Sequence, residues 1–172
     1  LASSHDKRPS LFVNGKSCGI KKKEKDVYHV SWRVTFEPGT VRVVSRKNGK
    51  EVLSRELHTA GEPARIRLSA DRNSIKADGV DLSFVTVDIL DRDGNLCPHA
   101  DNLVKFEVDG AAFVSGVDNG SPISSESFKK PERKAFYGKC LVVLQNNTAK
   151  GEITLKATSA GLQEGTLTLE AR

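Results

Sequence analysis

The residues that could carry out nucleophilic or metal-assisted catalysis are spread along this 172-residue chain rather than grouped. The four histidines, His5, His29, His58 and His99, form neither an H-x-H nor an H-E-x-x-H pairing, so the sequence holds no zinc-hydrolase pattern. A nucleophilic triad needs a base held beside a serine or cysteine, and no spacing here indicates one. We therefore predict that this chain contains no catalytic residue.

Metal ligation is equally unsupported by the sequence. Cys18, Cys97 and Cys140 are odd in number and include no C-x-x-C pair, which argues against a zinc site. Cys140 lies in an apolar run and fits a small buried hydrophobe, although a Cys97–Cys140 disulfide is compatible with an oxidising compartment. Residues 91–95 (DRDGN) superficially resemble a calcium loop but lack its third acidic position and closing Glu, so we predict a hairpin turn. We predict no metal and no cofactor.

The composition is that of a globular protein, with 37% hydrophobic and 28% charged residues. The net charge is +5, yet 27 basic residues are largely offset by 22 acidic ones. A nucleic-acid-binding protein concentrates positive charge on one face and interleaves aromatic residues with it. The dense basic runs at 21–25 and 129–130 adjoin turn-like sequence instead, so we predict solvated loops and no nucleic-acid partner. No apolar stretch approaches the ~18 residues that cross a bilayer, so we expect no membrane partner.

The elements that position these residues are predicted by a period-two alternation of apolar and polar side chains. It occurs in segments 30–36, 65–70, 85–89, 104–108, 152–157 and 167–171. Tight hairpins are favoured at the Asn-Gly and Asp-Gly dipeptides, because both residues tolerate positive φ. These dipeptides include Asn14-Gly15, Asn48-Gly49, Asp78-Gly79 and Asp109-Gly110. Strands with one apolar and one polar face are typical of antiparallel sheets packed face to face. No segment shows a capped apolar stripe of period 3.6, so we predict an all-β fold with almost no helix.

A domain boundary is predicted near residues 59–63 (TAGEP). Four short strands are expected before it and seven after it, and seven strands match one immunoglobulin-like sandwich. We predict two such antiparallel β-sandwich domains in tandem, at 8–60 and 61–172. Residues 1–10 lack strand character, so the first strand of the first domain is expected to be missing. Trp32 shares strand parity with its apolar neighbours and is expected in the core rather than on a sugar-binding surface.

Six short motifs follow one another along the chain. They are 11–19 (LFVNGKSCG), 32–39 (WRVTFEPG), 58–66 (HTAGEPARI), 75–82 (IKADGVDL), 118–122 (DNGSP) and 133–138 (RKAFYG). In this order they resemble the C-terminal region of bacterial glycoside hydrolase family 2 enzymes, chiefly β-galactosidases, in which the first motif reads LFLNGKSLG. The resemblance covers residues 8–172, and Cys18 stands where Leu is usual.

This resemblance implies a larger parent with a sugar-binding β domain, an immunoglobulin-like domain, a catalytic (β/α)₈ barrel and then the two domains predicted here. Such a parent is a retaining exo-glycosidase whose two catalytic glutamates lie on the barrel. Glycoside hydrolysis requires two carboxyl groups ~5–9.5 Å apart, whereas acidic residues such as Glu107 and Glu152 alternate with apolar ones and are predicted to face solvent. The expected role is therefore a non-catalytic accessory one, in a parent that hydrolyses O-glycosyl bonds in carbohydrate metabolism. The resemblance also implies a periplasmic or secreted location.

The chain has no Met and begins without a signal-peptide pattern, so we expect a piece of a longer protein or a mature form. Two other functions remain open. One is an autonomous carbohydrate-binding module with a weak carbohydrate partner, although aromatic residues make up only 6% of the chain. The other is an adhesin-like spacer, since residues 64–172 also resemble the immunoglobulin-like repeats of bacterial surface adhesins.

The segment 109–138 is the longest without regular alternation, and long loops in compact domains are often functional. It is interpreted either as a floppy surface loop or as a loop that docks against the parent's barrel, its neighbouring β domains or another subunit. In the docking interpretation, Phe128 is an exposed apolar anchor. The candidate interdomain contact residues are Asp118, Asn119, Gly120, Glu126 and Phe128.

Overall fold

The computed structural model describes residues 7–22 and 27–172. Every helix or strand assigned within them is a β-strand, which confirms the all-β prediction. Among these residues there is no helix of the length and apolarity needed to cross a membrane. The chain divides into two compact units, Leu1–Thr59 and Ala60–Arg172.

The described residues of the first unit form one four-stranded antiparallel sheet in the order β2-β1-β3-β4. Its strands are β1 (Lys7–Val13), β2 (Lys16–Ile20), β3 (Thr40–Lys47) and β4 (Lys50–His58). Asn14-Gly15 forms the turn between β1 and β2, and Asn48-Gly49 forms the turn between β3 and β4. All four residues have positive φ, between 48° and 79°. Tight two-residue hairpin turns require this conformation, so both predicted turns are confirmed.

Two predictions about strands in this unit are wrong. Residues 30–36 alternate in polarity but form no strand, and Phe36 is 76% exposed. Trp32 is only half-buried, so it is not a core residue between two sheets. Conversely, β1 begins at Lys7, so residues 7–10 do have strand structure. Alternation determines which face a side chain takes, but a strand also needs a neighbouring strand to satisfy its backbone hydrogen bonds.

The second unit is a sandwich of two sheets, with strand orders β10-β8-β12-β13-β6 and β5-β7-β11-β9. Its strands are β5 (Arg65–Ala70), β6 (Ser74–Ile75), β7 (Leu82–Leu90), β8 (Leu103–Gly110), β9 (Ala112–Asp118), β10 (Glu132–Lys134), β11 (Lys139–Asn146), β12 (Gly151–Thr158) and β13 (Gly165–Ala171). The pairing of β6 with β13 is parallel and the other strand pairings are antiparallel. The unit has nine strands where seven were expected, and β6 and β10 are the shortest of them.

Alternate residues of the facing strands fill the space between these two sheets, which confirms the period-two prediction for this unit. The fully buried side chains of the core include Val85 and Val87 on β7, Val142 on β11, and Ile153 and Leu155 on β12. Their polar neighbours Glu107 and Glu152 are exposed, as expected.

Cys97 and Cys140 are buried and free in the structure, so they do not form the disulfide that the sequence left open. Burial raises the pKa of the Cys140 thiol to about 12 and raises that of Cys97 as well. Both therefore behave as small core residues rather than reactive thiols.

The predicted hairpin turn at Asp109-Gly110 is wrong. Gly110 ends β8, and the chain passes there to β9 in the opposite sheet. Its φ is +91°, and a Cβ atom at this position would clash with the backbone carbonyl oxygen of Glu152. Glycine is therefore required for a close approach between strands as well as for the backbone conformation.

Candidate functional site

The candidate site is a loop at one edge of the second unit. Strands β9 and β10 lie within the segment that the sequence left irregular, so only residues 119–131 form the loop. Because β9 and β10 are edge strands of opposite sheets, the loop crosses from one sheet to the other. We call residues 119–131 the Arg133 loop, after the side chain around which they fold.

Arg133 lies on β10 and is completely buried. Its Nη1 donates to the backbone oxygen of Glu126 at 3.1 Å, and its Nη2 donates to Asn119 Oδ1 at 3.0 Å. The carboxylate oxygens of Asp118 and Glu126 lie 3.4 Å and 3.8 Å from the guanidinium nitrogens Nη2 and Nε. A buried charge is tolerated only when it is paired and hydrogen-bonded. Arg133 therefore holds both halves of the loop to the sandwich.

Phe128 covers this guanidinium group from outside. The centre of its ring lies 5.0 Å from Arg133 Cζ, within the range of a cation–π contact. Its backbone oxygen accepts a hydrogen bond from the N–H of Val117 on β9 at 2.9 Å. The ring is nevertheless 57% exposed. Phe128 thus shields a buried charge on one side and offers an apolar surface on the other.

The first turn of the Arg133 loop is stabilised by hydrogen bonds to side-chain oxygen atoms. Asp118 Oδ1 accepts the backbone N–H groups of Asn119 and Gly120 at 2.7 Å and 3.2 Å. Asn119 Oδ1 accepts the N–H of Ser121 at 3.0 Å, while its Nδ2 donates to the Lys134 carbonyl at 2.9 Å. These are Asx turns, which substitute for strand pairing where a strand ends.

Glu126 fixes the middle of the loop. Its Oε2 accepts a hydrogen bond from Ser124 Oγ at 3.1 Å, and its Oε1 accepts the backbone N–H of Lys134 at 3.4 Å. All five contact residues predicted from the sequence therefore belong to one cluster around Arg133. The loop is hydrogen-bonded along its length, while its docking role stays a prediction.

Sequence reasoning did not identify Arg133 as the centre of this cluster, because it lies in segment 109–138, which was interpreted as an irregular loop. The available signal was strand parity, since Arg133 and Ala135 alternate with Lys134 and both are buried. Asn146, the last residue of β11, is a second buried polar residue that the sequence analysis did not identify. Asn146 is fully buried, donates to the backbone oxygens of Ala111 and Ala149, and accepts the N–H of Gly79.

The turn at residues 91–95 is confirmed as a hairpin turn by the antiparallel pairing of Leu90 with Leu96. The Asp91 carboxylate accepts hydrogen bonds from the backbone N–H of Gly61 at 2.8 Å and from Asn95 at 2.8 Å and 3.0 Å. These donors, led by the Gly61 N–H, lower the pKa of Asp91 from 3.8 to about 2. Within residues 7–22 and 27–172, no group of three His, Cys, Asp or Glu side chains could hold a metal ion.

The second unit is thus an immunoglobulin-like sandwich with a hydrogen-bonded loop at its edge. Residues 66–168 match the family described as glycoside hydrolase family 2 C-terminal domain 5. Residues 4–53 match a domain of unknown function, DUF4982. The chain belongs to the glycoside hydrolase family 2 C-terminal domain 5 family.

Three similar proteins are much longer than this chain, and each matches it over part of its own length. The β-galactosidase BoGH2A of Bacteroides ovatus is 59% identical over 161 residues, which is 94% of this chain and 19% of that protein. A glycosyl hydrolase family 2 structure from Bacteroides cellulosilyticus is 36% identical, with a TM-score of 0.88 over 96% of this chain and 21% of that one. A β-glycosidase structure from Bacteroides vulgatus is 32% identical, with a TM-score of 0.89 and the same two coverages.

The chain therefore spans about a fifth of the length of these relatives. It is a C-terminal accessory region of family 2 glycoside hydrolases and not their catalytic part. The family resemblance predicted from the six motifs is confirmed.

Proposed function

We propose that this chain stabilises the catalytic part of a β-galactosidase-type enzyme by docking the Arg133 loop against it. The observation that carries this proposal is the structure of the Arg133 loop. Hydrogen bonds fix the loop to the sandwich, while apolar side chains of the loop face outward. Ile123 is 90% exposed and Phe128 57% exposed. A loop already ordered before docking loses less conformational entropy when it binds, so its apolar contacts contribute more net affinity.

The names of the relatives support a proposal for the activity of the parent enzyme. The match at 59% identity bears the name of a β-galactosidase, so the parent is proposed to hydrolyse β-galactosidic bonds in bacterial carbohydrate metabolism, in the periplasm or outside the cell. Full-length parent enzyme should cleave an aryl β-galactoside faster than the matching β-glucuronide. Cell fractionation should recover the parent outside the cytoplasm. The reverse preference, or a cytoplasmic location, contradicts the respective part of the proposal.

The docking role is tested with Ile123→Ser, because Ile123 is exposed and its replacement leaves the contacts of Arg133 in place. In the full-length parent, the loss of one docked aliphatic side chain should lower the melting temperature by about 2–4 °C. In the 172-residue chain alone, the same substitution should leave the melting temperature unchanged.

Val80→Ser is the matched control, since Val80 is also an exposed aliphatic residue in a turn of the second unit. It should have no effect in either protein. Equal melting temperatures for wild-type and Ile123→Ser full-length enzyme would remove the docking proposal. The Phe128→Ala variant is less informative, because Phe128 also covers the buried guanidinium group.

A further inference from the structure

A groove of about 280 Å³ lies on one face of the sheet in the first unit. The side chains and backbone that line it come from β1, β2, β3 and the β3–β4 turn. They are Arg8, Ser10, Ile20, Arg46, Asn48 and Gly49. No acidic residue is among these described lining residues, although the whole chain has 22 Asp and Glu residues.

The two arginines of this groove are directly opposite each other in the register of β1 and β3. Like charges in directly opposed positions destabilise a sheet unless a counter-charge lies between them. Among the described residues, no carboxylate forms an ion pair with Arg8 or Arg46. Within the part of the chain that the structure describes, the Arg46 guanidinium makes one long contact, from Nη1 to Ser10 Oγ at 3.5 Å. Two cations thus face one groove without a carboxylate partner among the described residues.

The acidic residues nearest in the sheet are already engaged elsewhere. Glu51 is opposite Arg46 in the register of β3 and β4, but its carboxylate lies 3.7 Å from the guanidinium group of Arg42. Glu56 is shared between Arg42, at 4.0 Å, and His58, at 3.2 Å. The carboxylates of Glu51 and Glu56 are therefore gathered around Arg42, which does not line the groove, while Arg46 also lines the adjoining hollow that includes Glu56.

The remaining groups of the groove indicate the chemistry of a ligand. A guanidinium group presents a planar set of donors that fits carboxylate and sulfate oxygens. The hydroxyl of buried Ser10 and the side-chain amide of Asn48 add neutral polar groups at the base and rim. Exposed Ile20 supplies an apolar wall beside them, suited to the C–H face of a sugar ring.

We propose that this groove binds an acidic saccharide through its oxyanion, either the carboxylate of a uronic acid or a sulfate ester. The oxyanion lies between Arg8 and Arg46, and the sugar ring lies against Ile20. This binding function is separate from the docking role of the Arg133 loop, because it depends on a different unit of the chain and different residues.

The proposal is tested by isothermal titration of the 172-residue chain at low ionic strength with glucuronate, galactose 6-sulfate, galactose and inorganic sulfate. Glucuronate or galactose 6-sulfate, or both, should bind, and the comparison between them identifies the source of the oxyanion. Galactose should not bind, and inorganic sulfate should bind more weakly than the acidic sugar. Arg46→Gln and Arg8→Gln should each weaken binding about tenfold, as expected for a lost charge-assisted hydrogen bond.

Arg55→Gln is the matched control. Arg55 is exposed and pairs with Val43, so it lies on the opposite face of the same sheet. It should leave the affinity for the acidic sugars unchanged. The saccharide assignment would be overturned if both groove variants bound the acidic sugars as tightly as wild type, or if Arg55→Gln lost as much affinity as they do. It would also be overturned if galactose or inorganic sulfate bound with the same affinity as the acidic sugars.

A stability measurement distinguishes loss of the site from loss of the fold. Removing one of two facing cations relieves their repulsion, so without ligand the groove variants should melt at or above the wild-type temperature in low salt. The difference should shrink as salt screens the charges. A lower melting temperature for both variants would contradict the unpaired-cation argument on which the proposal rests.

Discussion

The two units of this chain use the same alternation of apolar and polar residues with different results. In the second unit two sheets face each other, and the inward side chains of β7, β11 and β12 are completely buried. In the first unit the described strands form one sheet, and Leu57 on β4 remains 74% exposed. Alternation therefore decides which side chains share a face, but a second layer decides whether that face is buried.

The same contrast holds for arginine. Arg133 in the second unit is buried and is surrounded by oxygen atoms of the loop that precedes it in the chain. Arg42 in the first unit makes ion pairs with Glu51 and Glu56, but all three side chains are close to half exposed. Solvent screens the exposed pairs and competes for their hydrogen bonds, so similar partners give very different contributions to stability.

The largest expected effect on stability comes from truncating a buried leucine in the second unit, compared with an exposed leucine in the first. Leu155→Ala should lower the free energy of unfolding of the second unit by about 3–4 kcal/mol, because it leaves a cavity among completely buried neighbours. Leu57→Ala should change stability by less than ~0.5 kcal/mol, since its side chain is mostly in water already. Urea unfolding of both variants measures these two changes in the free energy of unfolding. Similar losses for the two substitutions would show that another layer covers β4.

A second pair of substitutions compares the two arginines. Arg133→Met should lower the free energy of unfolding by about 2–3 kcal/mol, because it removes the hydrogen bonds that Arg133 donates to Asn119 and to the Glu126 backbone oxygen. Arg42→Met should lower the free energy of unfolding by less than ~1 kcal/mol, as is usual for exposed ion pairs. Chemical denaturation gives both values, and hydrogen exchange of the Val117 and Lys134 amides should accelerate only in Arg133→Met. Unchanged exchange there would show that the loop does not depend on Arg133.

The smallest effect concerns Asp91, whose pKa is lowered to about 2 by the N–H of Gly61 and by Asn95. Because its pKa is lower in the folded state, its contribution is fully present above its unfolded pKa near 4 and is lost as the pH falls through 2. The difference in unfolding free energy between wild type and Asp91→Asn should therefore narrow from pH 5 to pH 2. Glu51→Gln, in the first unit, controls for the loss of one negative charge. A pH-independent difference for Asp91→Asn would contradict this.

Much of the fold was predictable from short-range pattern. Strands β5, β7, β8, β12 and β13 all coincide with segments of alternating polarity, because one face of each meets a facing sheet. The turns at Asn14-Gly15 and Asn48-Gly49 follow from the local tolerance of these residues for positive φ. The order of six motifs also indicated the family, although each motif alone is an ordinary turn or strand.

The candidate site was only partly predictable. The five contact residues were selected because they lie in a long irregular segment, and the structure gathers them around one side chain. Arg133 itself was missed, because its burial depends on residues 118–128 folding over it. Strand parity shows which way Arg133 points, but it does not show that the preceding loop folds back over the guanidinium group.

By itself the sequence determined the faces of most strands and the two Asn-Gly turns, because these depend on neighbours close in the chain, and the order of its motifs determined the family. Only the tertiary structure decided that residues 30–36 form no strand, that Gly110 carries the chain between sheets, and that Arg133 is buried. It also brought Arg8 opposite Arg46. Each of these depends on which strands pair and which layers pack, and those contacts join residues far apart in sequence.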